Sequence, residues 1–135
     1  MLYRTEMSAA LAGVLTLSAG SVLAHHSFAM FDINNKITIT GKVREFQWTN
    51  PHILIWVDVE EEGKSEPVTW AVEMTSVGNM RREGWNRETL KPGDNVELLI
   101  NPLRNGGPGG GFYAIKFLDE EGREFLMPRV AAPNE

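Results

Sequence analysis

The chain carries three histidines, His25, His26 and His52, and no cysteine. Thiolate metal sites and disulfides are therefore excluded, and imidazole is the strongest metal-binding group it has. Two of the histidines stand directly after Ala24. If the chain is cut there, His25 becomes its first residue, and the free amine and ring nitrogen of that one residue can chelate a metal together. A third nitrogen would complete a T-shaped set suited to copper, which favours tetragonal nitrogen coordination and binds tightest among the divalent first-row ions. His26 is a poor third ligand, because neighbours in an extended segment point to opposite faces. His52 is the better one, since it leaves a corner enforced by Pro51.

Met30 could add a thioether for copper(I). Met74 and Met80 fall on apolar faces and read as core. Zinc would need a fourth protein ligand or a water; Asp32 or Glu73 could serve, although nothing in the spacing selects them. A plainer account stands beside this one: a terminal His-His pair can simply be solvated, and His52 can pack against Trp48 or Trp56. Of the four tryptophans, Trp48 beside Asn50 is expected on an open face, where it could stack on a flat ligand. Catalysis without a metal is not indicated. There is no nucleophile elbow, and Asp32, Asp58 and Glu73 have no visible acid-base partner.

The cut after Ala24 is itself a reading of the sequence. Ala9 to Leu23 is uncharged and apolar or small, it follows Arg4, and Val22-Leu23-Ala24 suits a signal peptidase. Residues 1–24 thus read as a secretory signal rather than a membrane-spanning helix, and the destination is the periplasm. Residues 25–135 are then one domain, with 128–135 a loose tail. Losing Arg4 and Glu6 leaves the net charge at −5. An acidic chain without a basic cluster has no electrostatic footprint for nucleic acid, and no later segment is long enough to hold the processed protein in a membrane.

The elements that must position these residues are strands. Ile37, Ile39 and Val43 alternate with Thr38, Thr40 and Lys42, and after Arg44-Glu45 the apolar phase switches to Phe46 and Trp48. A phase change with Gly41 nearby predicts a long strand bent at a bulge. Asn50-Pro51 breaks it. His52 to Val59 and Val68 to Met74 alternate as the next two strands, around a polar tip at Glu60 to Lys64. Thr75 or Ser76 caps a short helix through Arg82 that Gly84 ends, with Val77, Met80 and Trp85 facing inward. Lys91-Pro92-Gly93-Asp94 is a turn, followed by a strand at Val96 to Ile100. Asn105 to Gly111 reads as a flexible glycine-rich loop, lacking the Lys and Ser/Thr of a phosphate loop. Phe112 to Leu118 is another strand, and Glu124 to Met127 is a short last one.

This order predicts an all-β fold, a small five- to six-stranded Greek-key barrel of the OB type with its one helix between strands 3 and 4. A β-sandwich is the competitor.

Ala24-His25-His26-Ser27-Phe28, Phe31-Asp32, Gly41-Lys42-Val43, Trp48-Thr49-Asn50-Pro51-His52, Gly84-Trp85 and Lys91-Pro92-Gly93-Asp94 together resemble a family of small exported bacterial proteins, domain of unknown function 6152. The resemblance implies periplasmic export and one β-barrel domain. It assigns no catalytic residues, and it makes His25, His26 and His52 the positions to test first. Three readings follow. The leading one is a periplasmic copper-binding protein that is not an enzyme and serves an unknown periplasmic protein or small ligand. The others are a metal-free ligand-binding or assembly module and a copper-dependent oxidoreductase.

Overall fold

The structure, a computed structural model, describes residues 28–126. His25, His26, the expected signal over 1–24 and the expected tail over 128–135 lie outside the described residues. After a single 3-10 turn at Phe28–Met30 come β1 (Ile37–Gln47), β2 (Leu54–Val59), β3 (Val68–Glu73), α1 (Val77–Arg82), β4 (Asn95–Pro102), β5 (Gly109–Phe117) and β6 (Glu124–Leu126). No helix among the described residues is long and apolar enough to cross a membrane.

The bend in β1 lies where the apolar phase changes. Val43 pairs with Val57 and Glu45 with Trp56, so Arg44 has no partner across the β1–β2 ladder. The extra residue lets the first half of the strand pair with β4 and the second half with β2. Close to the bend, a Cβ on Gly41 would collide with the Asp58 carbonyl, so only glycine lets the two backbones approach there.

Neighbouring strands run β3-β2-β1-β4-β5-β6, and a parallel pairing of Ala71–Glu73 with Gly109–Gly111 joins β3 to β5. Five strands thus close into a barrel in the order β1-β2-β3-β5-β4, and β6 adds to β5 outside the closure. With α1 between β3 and β4, this is the OB arrangement expected from the sequence.

One expectation is corrected here. The loop predicted over Asn105 to Gly111 ends at Pro108, and Gly109–Gly111 is strand. A Cβ on Gly109 would lie 2.8 Å from the Ala71 carbonyl oxygen, and one on Gly110 would collide with the Asn101 carbonyl. The glycines therefore permit the close backbone approach that shuts the barrel.

Inward side chains of every barrel strand form one core, including Val43, Ile55, Val57, Val72, Val96, Leu98, Ile100, Phe112 and Ile115. Ser76 caps α1 by accepting from the Asn79 amide at 3.3 Å. Gly84, at φ 85°, ends the helix with its amide on the Arg81 carbonyl. Val77 and Met80 go into the core, and Met74 with them. Trp85 follows into an aromatic cluster, its ring centroid 5.1 Å from Phe125, 5.6 Å from Phe112 and 6.1 Å from Phe46.

A rim cleft around His52 and Glu73

The end of β1, the starts of β2 and β5 and the ends of β3 and β4 meet at one end of the barrel. There the chain turns the corner from Thr49 to Ile53 with a cis Asn50–Pro51 peptide. The corner is pinned at both sides. Asn50 Oδ1 accepts from the Val77 amide at 3.0 Å, tying it to the first turn of α1. Ile53 donates to the Thr75 carbonyl at 3.2 Å and accepts from the Met74 amide at 2.8 Å, which extends the β2–β3 ladder past the strand ends.

His52 projects from this corner on the outer face of β2, the face of Leu54 and Trp56. Register pairs Leu54 with Glu73, so His52 and Glu73 are diagonal neighbours on one face. They bond: His52 Nδ1 lies 2.7 Å from Glu73 Oε1, with side chains 37% and 22% exposed. The length is that of a charge-assisted hydrogen bond. An ionised carboxylate only accepts, so Nδ1 carries the proton, and in the neutral ring the lone pair sits on Nε2. Glu73, read from the sequence as a carboxylate without a partner, thus has one. Its signal was available in the alternation of both strands, once the tip at Glu60 to Lys64 fixed their register.

Beside the pair lies a cleft of about 140 Å³ lined by Phe31, Ile33, His52, Glu73, Met74, Thr75, Asn101, Gly111 and Phe112. Two of its walls come from the segment ahead of β1, which sequence reasoning did not place. Phe31 forms an isolated antiparallel bridge with Leu103, and the Asp32 backbone amide donates to the Pro102 carbonyl at 2.8 Å. Arg104 donates from its backbone to Met30 O at 2.9 Å and from Nε to Ala29 O at 3.1 Å. The Phe31 ring packs over Gly111, where a Cβ would meet it at 3.1 Å.

The other expected site residues lie elsewhere. Met30 is exposed on the 3-10 turn and does not line the cleft. Asp32 accepts from the Asn34 amide at 3.3 Å, a local turn bond. Trp48 is corrected: it is 7% exposed, in the core, with its ring 5.6 Å from Phe46. The phase change at the bulge turns it inward, so it offers no open stacking face. Asn50 is exposed, but its amide oxygen is engaged by the helix. Among the described residues, no group of three or more His, Cys, Asp or Glu could hold a metal. Within them the rim offers His52, backed by Glu73.

Further along the same sheet face, Asp58 accepts from the Thr69 hydroxyl at 2.8 Å and from Arg44 Nε at 3.0 Å. The Thr69 bond, aided by Arg44 and opposed by desolvation, holds its carboxyl below the usual value of 3.8.

Fold and site together define a small OB-type barrel with a histidine–glutamate pair on its rim. The chain belongs to a family of unknown function (DUF6152), whose model matches residues 13–112. No curated protein matches it in sequence. Among solved structures, the mitochondrial single-stranded DNA-binding protein Rim1 of S. cerevisiae is similar at 12% identity, over 63% of this chain and 94% of that one, with a TM-score of 0.48. A likeness that distant says nothing about a partner.

Proposed function

We propose that the chain is an exported periplasmic copper-binding protein, in which the amino terminus made by cleavage after Ala24 and the His52 side chain share one copper ion. His25 supplies its free amine and a ring nitrogen, and His52 supplies Nε2. The observation that carries this reading is that Phe31 and Ile33 line the same cleft as His52. His25 stands six residues ahead of Phe31 in the sequence, and six residues extend to at most about 20 Å. A chain cut after Ala24 would thus begin within that reach of the cleft, which supports a shared site.

Three nitrogens with no thiolate suit copper over softer-ligand chemistries. The described residues offer no complete metal cluster of their own, so the reading requires His25, with His26 and Met30 in secondary places. Binding is favoured over turnover, since the cleft is far smaller than the roughly 300–1,000 Å³ of ordinary small-molecule sites. The test is the intact mass and copper content of the exported protein. A mass starting at His25 with one copper per chain is expected; a different start removes the chelate.

The apolar walls Phe31, Ile33, Met74 and Phe112 favour a second reading, a metal-free binding module for a small apolar ligand. It predicts that phenol, added to metal-stripped protein, shifts the amide resonances of Gly111 and Phe112. The copper reading predicts no such shift.

A further inference from the structure

We infer that Glu73 is a positioning residue, which fixes the His52 ring with its proton on Nδ1 and so reserves Nε2 for the metal. The role in metal capture rests on the copper reading above; the choice of tautomer does not. The Nδ1 to Oε1 distance of 2.7 Å gives the ring one bonded nitrogen. In water the neutral imidazole of histidine prefers its proton on Nε2, so the carboxylate imposes the less common form. Which nitrogen takes a metal is set by the hydrogen bond that the other one makes.

Both partners are held on the backbone side. Glu73 ends β3 opposite Leu54. His52 is flanked by the Asn50 bond to Val77 and by the two Ile53 backbone bonds to Met74 and Thr75. The pair sits on the rim, partly open to water at 37% and 22% exposure, where an ion pair contributes modestly to folding. Stability is thus a weak reason for so short and well-anchored a contact. Metal-ligating histidines characteristically pass their second ring N–H to a carboxylate, which fixes the tautomer and raises the basicity of the ligating nitrogen. Glu73 stands in that relation to His52.

The inference is tested on processed, metal-stripped protein labelled with ¹⁵N-histidine. Two-bond proton–nitrogen spectra of the neutral ring should show His52 protonated on Nδ1 and bare on Nε2. Glu73→Ala should move it toward the Nε2–H form, and Glu73→Gln, whose amide oxygen still accepts, should lie between. Copper titration of the same proteins should show an affinity loss of roughly 10–100-fold in Glu73→Ala, with partial rescue in Glu73→Gln. A wild-type ring protonated on Nε2 overturns the inference whatever copper does, and that measurement needs no variant to fold. The expected tautomer with unchanged copper affinity in Glu73→Ala overturns the positioning role. If wild-type protein binds copper no better than a version extended by one residue ahead of His25, the copper reading fails instead, and the spectra still decide what Glu73 does to the ring.

Discussion

Asn101, near the end of β4, donates its amide to the Asn35 carbonyl at 2.7 Å, and the same nitrogen lies 3.3 Å from the Ile33 carbonyl and 3.4 Å from that of Asp32. One side chain thus gathers three carbonyls of the segment that leads into β1. It lines the rim cleft as well. The path of the leading segment past His52 depends on this clamp and on the Phe31–Leu103 bridge.

Asn101→Ala should therefore loosen the leading segment while the barrel stays folded. Copper affinity of the processed protein should fall roughly tenfold, equivalent to about 1.4 kcal/mol of lost preorganisation. Unchanged affinity, with cleavage by a protease near Ile33 equally unchanged, would mean that the clamp does not set the path.

Two glycine substitutions should act in opposite directions. Gly109→Ala puts a Cβ 2.8 Å from the Ala71 carbonyl oxygen at the barrel closure, and should destabilise by about 1–3 kcal/mol. Gly78, in α1, has only the Ser76 hydroxyl near, at 4.0 Å. Gly78→Ala should stabilise by about 0.5–1 kcal/mol, because alanine gives up less backbone freedom in a helix. Urea unfolding midpoints report both.

The same glycines show where the sequence was legible. Patterns carried by side chains read correctly: the phase change around Arg44-Glu45, the alternation of Ile53, Ile55 and Val57, the end at Gly84, and a cap at Thr75 or Ser76 that falls on Ser76. The OB order followed from them. Gly109–Gly111 were misread because glycine has no side chain to alternate, and the reason for their presence is a neighbouring backbone distant in sequence. Trp48 was misread for a related reason. Its nearness to the Pro51 corner suggested exposure, whereas the bulge decides which way it faces. Around the rim, the corner that carries His52 was legible from Asn50-Pro51, while a ligand role for the ring is the proposal made above. Its bond to Glu73 depends on the register of a hairpin, and the clamp from Asn101 joins residues far apart in sequence, a distance that local patterns do not span.

Trp85 is fully enclosed, and among the described residues its indole N–H has no hydrogen-bond partner. An unpaired buried donor is unfavourable by about 1–3 kcal/mol. Trp85→Phe removes that penalty along with some packing and should change stability by less than about 1.5 kcal/mol, whereas Trp85→Ala should lose about 3–5 kcal/mol. A loss of about 3 kcal/mol or more in Trp85→Phe would show that no donor penalty offsets the lost packing.

Acid should remove the contribution of Asp58. Its folded carboxyl titrates below the unfolded value of 3.8, so the unfolded chain takes up the proton first as pH falls. The contribution is complete above that value and is lost as pH drops through the folded one. Asp58→Asn should lower the melting temperature at neutral pH, and the gap to wild type should close in acid below 3.8. Thr69→Val, which removes the hydroxyl bond, should show the same closing gap. A gap that stays constant with pH would assign the effect to packing.

The claim at the centre is that His25 and His52 hold one copper between them. Copper titration of protein beginning at His25, beside His52→Ala and beside a version with one added residue ahead of His25, tests it most directly. One tight site is predicted in the first, with affinity lost by more than tenfold in each of the other two. Equal affinity in all three would contradict the account.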